Sequence, residues 1–242
     1  QGFGWRTTFL TVSALGLIAL IGSALLVPAN LKQSASASIK EQLQVLLEPR
    51  LLIVYAMTIL GYGGTFTAFT FLAPILEQEA GFASSAVAAI MLVYGVSVAV
   101  GNIWGGKLAD KHGPIKALSL IFTGLALVLF VFSFTMSFKL AAVITVLIWG
   151  AFAFGNVPGL QVYVVQLAER YTPKAVDVAS GLNIAAFNIG IAVGSVSGGL
   201  IVDSMSLRDT AWIGAVIAMS ALLVTRYSGS LDRSAAGGED CL

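Results

Sequence analysis

The chain has 242 residues, of which 57% are hydrophobic and only 10% charged, with a net charge of +1. A water-soluble core cannot take up that much apolar surface without leaving large exposed patches, so the bilayer is the expected solvent. No basic or acidic excess points to a nucleic-acid partner, and the lone Cys241 can form no intrachain disulfide.

The chain opens on Gln1 and runs into "GFGWRTTFL" without the basic lead of a signal peptide, which reads as a piece whose upstream part is missing. A helix crossing a hydrocarbon layer of about 30 Å needs roughly 20 apolar residues. Seven segments meet this, at about 8–28, 51–76, 84–106, 115–136, 139–168, 177–202 and 210–227. These runs are too long and continuous for barrel strands, and lipid offers the backbone no partner other than itself, so each is expected to be helical. The expected class is an all-α integral membrane protein with seven transmembrane helices.

Between the first two spans, "ANLKQSASASIKEQLQVLLEPR" at 29–50 starts as a small, polar linker. Its second part sets Ile39, Leu43, Leu46 and Leu47 at helical spacing, which predicts a short amphipathic helix on the membrane surface. The sequence therefore divides into a lead and first span at 1–28, a linker at 29–50, six spans at 51–227 and a tail at 228–242. Lys32, Lys40, Arg50, Lys107, Lys111, Lys116, Arg170, Lys174, Arg226 and Arg233 fall on one side of the spans. Only Arg6, Lys139 and Arg208 fall on the other. That asymmetry places the linker, residues 107–116, residues 169–176 and the tail in the cytoplasm, and Gln1 outside.

The span at 51–76 carries "LGYGGTFTAFTFLAP" and the span at 139–168 carries "WGAFAFGNVPGLQ". Gly61, Gly63, Gly64, Pro158 and Gly159 are expected to loosen or kink these helices. If the last six spans form two triplets, each such helix leads its triplet, the position where inverted repeats of secondary transporters build their binding sites. The side chains there are Tyr62, Phe66, Phe69, Trp149, Phe152 and Asn156. The span at 84–106 adds Tyr94 and Asn102, and the span at 177–202 adds Asn183, Phe187 and Asn188. A membrane-buried amide needs a partner, either a neighbouring helix or a solute in a wet cavity, and a phenylalanine can face either lipid or that cavity. Such a lining, without buried charge, suits a neutral or weakly polar organic solute.

Small residues recur at every fourth position as Ala186, Gly190, Gly194 and Gly198, as Ala151, Gly155 and Gly159, and as Gly101 and Gly105. Such stripes let helix backbones pack closely or slide past one another. All twelve Asp and Glu residues lie at span ends or in loops. That argues against a proton-relay carboxylate within these spans. No cluster has metal-ligand spacing, no nucleophile–base set appears and no cofactor is expected, so an enzyme is not.

"GKLADKHG" at 106–113 resembles the cytoplasmic signature loop of the major facilitator superfamily, with Gly106, Asp110 and Gly113 at its spacing. It departs from that pattern after the second glycine, where Pro114 and Ile115 precede Lys116. "GWRTTF" at 4–9, "VPGLQ" at 157–161 and "SGLNIAAFNIGIAVGSVSGG" at 180–199 are similar to the sixth, tenth and eleventh spans of that superfamily's arabinose-efflux-permease-like branch. The branch sits among the bacterial drug–proton antiporters. The resemblance implies a twelve-helix inner-membrane exporter of a small organic solute, working by alternating access and proton antiport. This chain would supply spans six to twelve, its last six spans forming one six-helix half. The partner would be the missing N-terminal half, which in such transporters usually carries the coupling acid. It also implies that Asp110, in this signature loop with Gly106, Lys111 and Gly113, is half of a conformational latch against a helix end of that half, with Lys107 and Lys111 held near the lipid headgroups. A seven-helix receptor or a non-transporting membrane subunit is the competing expectation from span count alone.

Overall fold

The computed structural model describes residues 5–26 and 38–239. Seven of its helices are long and apolar enough to cross a membrane. Helix α1, Trp5–Leu26, forms a unit by itself, and everything from residue 38 onward forms a second.

The second unit opens with α2, Ile39–Leu47. Ser38 and Glu41 form a capping box: the Glu41 N–H donates to Ser38 Oγ at 3.3 Å, and the Ser38 N–H donates to Glu41 Oε2 at 2.8 Å. The helix is where the leucine spacing puts it, but its apolar stripe does not dock on the bundle. Ile39 and Leu47 are more than three-quarters exposed, and Val45 is the residue that is buried.

Helix α3, Pro49–Phe69, follows with Pro49 in its first turn, and α4, Leu72–Gln78, continues the same span. Gly61, Gly63 and Gly64 lie inside an unbroken α3, and α7 likewise runs through Pro158. The interruption lies at Thr70–Phe71, one turn before Pro74, whose ring would collide with the Thr70 carbonyl in an unbroken helix. Thr70 Oγ1 donates to Phe66 O at 2.8 Å and lies 2.9 Å from Ser195 Oγ of a neighbouring helix, which holds the break in place.

Helix α5 covers Ser84–His112, α6 Pro114–Thr135, α7 Lys139–Tyr171, α8 Val176–Ser204 and α9 Asp209–Glu239. The charged cluster Lys107–His112 is thus the last turns of α5 rather than a loop. The chain reverses at Gly113 alone, at φ 80°, ψ 156°, with Pro114 starting the next helix. That φ is open to glycine and strained for other residues. Helix α9 also continues three turns past residue 227, because Ser228 and Asp232 are tied to the bundle as described below.

Helices α3, α5 and α6 form one triplet and α7, α8 and α9 a second. Helix α3 packs chiefly on α8 and α9, while α7 packs chiefly on α5 and α6. Exchanging the triplets maps one set of contacts onto the other, and three intervening crossings reverse the direction of the second triplet. The close crossings make the repeat concrete. A Cβ on Gly101 would meet the Ala151 backbone (Cα at 2.5 Å), and one on Gly105 would meet that of Gly155 (Cα at 2.8 Å). One turn further on, a Cβ on Gly159 would lie 3.9 Å from Ala109 Cβ, an ordinary contact, and closer to the Leu118 side chain of α6. On the other side, Gly190 faces Ile59 O at 2.8 Å, Gly194 faces Gly63 O at 2.5 Å and Gly198 faces Thr67 O. Each ladder keeps a constant sequence offset, so its two helices run in the same direction, and exchanging the triplets carries one ladder onto the other position by position, as an inverted repeat requires. Small residues are demanded here because backbone touches backbone.

Candidate functional site

On α3, Tyr62, Phe66 and Phe69 follow helical spacing and project from one face. Tyr62 packs against Phe187 of α8 with ring centroids 4.6 Å apart, and stacks on Phe66 at 6.0 Å. Phe66 meets Phe69 edge-on at 5.3 Å, and Phe69 stacks on Tyr94 of α5 at 5.1 Å. Trp149 of α7 closes the cluster, 6.1 Å from both Phe69 and Tyr94. Behind Trp149 lies Phe132 of α6 at 5.7 Å. Six of the eleven predicted cavity residues therefore form one aromatic wall built by four helices. Edge-to-face and offset pairs of this kind each contribute about 0.5–1.5 kcal/mol beyond area burial.

The wall has a front and a back. Tyr62, Tyr94 and Trp149 are buried, whereas Phe66, Phe69 and Phe187 are half-buried and present ring surface. Tyr94 Oη and Trp149 Nε1 have no hydrogen-bond partner among the described residues, nor do Thr65 Oγ1 and Asn156 Oδ1.

Phe154 belongs to the wall and was not among the predicted residues. It meets Tyr62 edge-on at 5.8 Å. Helical phase within "WGAFAFGN" favours Phe152, three residues from Trp149, but Phe152 lies apart, paired with Trp104 at 5.5 Å and packed against Gly124. The signal that could have found Phe154 is the repeat offset, because Phe154 stands in α7 where Tyr62 stands in α3.

The amides divide. Asn183 is buried in a polar ladder joining three helices: Thr58 Oγ1 donates to Asn183 Oδ1 at 2.7 Å, and Asn183 Nδ2 donates to Gln161 Oε1 at 3.2 Å. Gln161 in turn donates to Ser180 Oγ, and Tyr55 Oη donates to Ala179 O at 3.3 Å. Asn156 is buried on α7, with Nδ2 donating to Ala153 O at 3.1 Å. Asn188 is exposed and donates to Ile184 O of its own helix at 2.9 Å, and Asn102 is half-buried on α5. Asn183→Ala removes both partners' bonds at once and leaves Thr58 and Gln161 facing a gap. We expect a loss of about 1–2 kcal/mol, read as reduced membrane abundance and earlier thermal unfolding. Normal abundance with weakened transport would instead make Asn183 a solute contact.

At the basic end of the bundle, Arg50 of α3 pairs with Asp232 of α9. Tyr163 Oη of α7 donates to Asp232 Oδ2 at 2.8 Å and lies 2.7 Å from Ser228 Oγ. Neither Asp232 nor Tyr163 stood out in the sequence, since their partners lie far along the chain, 69 positions apart for Tyr163–Asp232 and 182 for Arg50–Asp232. Nearby, Lys174 Nζ lies 3.0 Å from Glu41 Oε1 and clips α2 to the turn after α7. The Ser38 backbone N–H, with the Lys174 ammonium and the Ser38 hydroxyl, holds the Glu41 carboxyl at about 2, well below the ordinary carboxylate range. The stabilisation is complete above that ordinary range and is lost only as pH falls toward 2, so the clip persists at physiological pH.

Of the signature segment, Gly106 is half-buried, Asp110 and Lys111 are exposed on the last turns of α5, and Gly113 makes the turn. Gly155, Gly159, Gly190, Gly194 and Gly198 all lie in the two close-packed ladders. Among the described residues, no three His, Cys, Asp or Glu side chains converge as a metal site.

A sequence model of the Major Facilitator Superfamily matches residues 1–172. The chain is 48% identical over 233 residues to the "Uncharacterized MFS-type transporter YtbD" of Bacillus subtilis (strain 168), covering 96% of this chain and 59% of that protein. It is 32% identical over 231 residues to the "Inner membrane transport protein YdhP" of Escherichia coli (strain K12), covering 94% of this chain and 57% of that protein. It is 31% identical over 231 residues to the "Uncharacterized MFS-type transporter YfhI" of Bacillus subtilis (strain 168), covering 93% of this chain and 55% of that protein. The chain thus spans somewhat under three-fifths of the length of these relatives.

Proposed function

The chain belongs to the Major Facilitator Superfamily, and from that membership we propose that it forms the solute-binding half of an exporter for a small, neutral or weakly polar organic molecule. The observation that carries this reading is the aromatic wall. Its main contributors, α3 and α7, each lead a triplet, and four half-buried phenylalanines offer stacking surface without a buried charge. Membrane transport is the activity common to the relatives' names. Export, proton antiport and a place in the bacterial inner membrane are parts of this proposal. The Escherichia coli relative's own name supports the last.

The working unit includes a second six-helix half. Exposed apolar rows on α5 (Val93, Val96, Val100) and on its repeat counterpart α8 (Ile189, Val193, Val196) support two equivalent surfaces for it. The coupling acid lies in that half, since no Asp or Glu sits mid-span here. The distribution of Lys and Arg supports a cytoplasmic place for the basic end. Asp110 is exposed at that end and serves as a latch against a helix N-terminus of the other half. Such a contact contributes typically 0.3–1 kcal/mol when exposed, and up to about 2 when partly buried.

The test is an efflux assay over a panel of solutes on the full-length protein, with and without a proton uncoupler. The expected result is uncoupler-sensitive export of one solute class, weakened by Phe66→Ala or Phe154→Ala at normal membrane abundance. Export that ignores the uncoupler would refute antiport, and no export of any solute would refute the reading. In the same assay Asp110→Asn is expected to shift inward and outward accessibility; unchanged kinetics and accessibility would remove the latch.

A further inference from the structure

Helices α6 and α9 pack side by side, and their seam carries two features in line. Toward the basic end there is a recess of about 380 Å³ lined by Ile115, Lys116, Ser119, Arg226, Gly229 and Arg233. Further along lies an apolar groove of about 490 Å³ between the same two helices, with Leu127, Phe130, Val216, Met219 and Leu223 in its walls. Lys116, Arg226 and Arg233 are exposed, and among the described residues none of them is ion-paired. The nearest acidic residue in sequence, Asp232, is already engaged by Arg50 and Tyr163. Three free cations thus meet at one end of a groove whose remaining lining is mainly apolar, with Thr123 and Ser220 as its hydroxyl-bearing members. At the opposite end stands Trp212, 39% exposed, its Nε1 donating to Asp209 Oδ1 at 2.7 Å. An aromatic residue held this way marks the far membrane boundary.

We propose that this seam is a binding site for an anionic phospholipid. The phosphate headgroup sits among Lys116, Arg226 and Arg233, and one acyl chain lies along the α6–α9 groove. Charge complementarity selects an anion, and the groove continuing from the recess selects an anion with a chain attached. Basic recesses between transmembrane helices bind acidic lipid headgroups on the same physical grounds. The inference rests on the bundle's place in the membrane and not on transport, because its readout is lipid retention.

The experiment uses the full-length protein purified in mild detergent. Retention of phosphatidylglycerol is compared with that of phosphatidylcholine bearing identical chains by native mass spectrometry and thermal unfolding, with inorganic phosphate as a third arm. Phosphatidylglycerol is expected to be retained and to raise the unfolding temperature, while phosphatidylcholine and phosphate do neither. The triple variant Lys116→Gln, Arg226→Gln, Arg233→Gln should bind it roughly 10- to 100-fold more weakly, from about 1 kcal/mol per basic residue and 1.4 kcal/mol per tenfold. These side chains are exposed and unpaired, so the lipid-free variant should unfold as the parent does. Ser220→Phe, which fills the groove, should also lower retention. Equal retention by the triple variant, equal retention of phosphatidylcholine, or the same protection from inorganic phosphate would each overturn the lipid site. Undiminished binding in Ser220→Phe would overturn the placement of the chain.

Discussion

Gly105→Ala is expected to destabilise the bundle by about 3 kcal/mol, whereas Gly106→Ala, one residue further along, is expected to be neutral or slightly stabilising. A Cβ on Gly105 would lie 2.6 Å from the carbonyl carbon of Gly155 and 2.8 Å from its Cα, with the carbonyl oxygen closer still. Those are backbone atoms of α7 and cannot rotate aside, so α5 and α7 must separate. The neighbouring crossing of Gly101 with Ala151 would open with them. Overpacking generally costs 1–3 kcal/mol, and a backbone-on-backbone clash belongs at the top of that range. A Cβ on Gly106 would meet Pro158 Cβ and Cγ at 3.7 Å, an ordinary contact. There the residue's helix propensity, up to about 1 kcal/mol in favour of alanine, is all that changes. Unfolding of the purified protein in detergent by heat or denaturant separates the two. Equal effects at the two positions would mean that the α5–α7 crossing is looser than its geometry requires. The repeat extends the forecast: Gly194→Ala, facing Gly63 O at 2.5 Å in the equivalent α3–α8 crossing, should behave like Gly105→Ala.

Asp232→Ala should cost about 2–3 kcal/mol, and much of that loss should return when Arg50 is changed to Met in the same chain. Arg50 is only 12% exposed, and its Nε already lacks a partner, so removing Asp232 strands a charge in a poorly solvated position. Breaking a fully buried pair costs roughly 3–5 kcal/mol; Asp232 is 35% exposed, so screening by water lowers the figure. Replacing both members removes the stranded charge, which is why the double variant should recover. Tyr163→Phe should show a smaller loss, near 1 kcal/mol, because one hydroxyl bridge to Asp232 disappears. A double-mutant cycle on purified protein reads all of these. Additive losses from Arg50→Met and Asp232→Ala would show that the pair contributes no coupling.

The helix ends in this region explain what could and could not be read in advance. Arg50 was legible only as one of ten basic residues on one side of the spans, and Asp232 only as part of a polar tail. Their pairing extends α9 past the apolar stretch, an effect hydropathy cannot register because it depends on a partner 182 positions away. The aromatic wall behaved differently. Tyr62, Phe66, Phe69 and Trp149 could be picked out because aromatic side chains clustered in the helices that lead each triplet, and Tyr94 and Phe187 as aromatic residues within the neighbouring spans. Phe152 was picked with them, but the ring that faces Tyr62 is Phe154, because the α3–α7 contact decides which side chain of α7 meets α3. The glycines of α3 are a similar case. In isolation Gly61, Gly63 and Gly64 weaken a helix, but buried against Phe122, the α8 backbone and the α9 backbone they allow it to pack without breaking.

By itself the sequence determined the class, the seven spans and the small-residue stripes. Each follows from a local demand: about 20 apolar residues to cross lipid, and no room for a side chain between touching backbones. Only the tertiary structure decided which buried polar group meets which, and therefore that Asn183 ties three helices together while Asn188 faces outward. It also decided that the two triplets interlock through matched glycine ladders. Those outcomes depend on contacts between residues far apart in the chain, where a rotation of one helix by a single residue exchanges a buried amide for an exposed one.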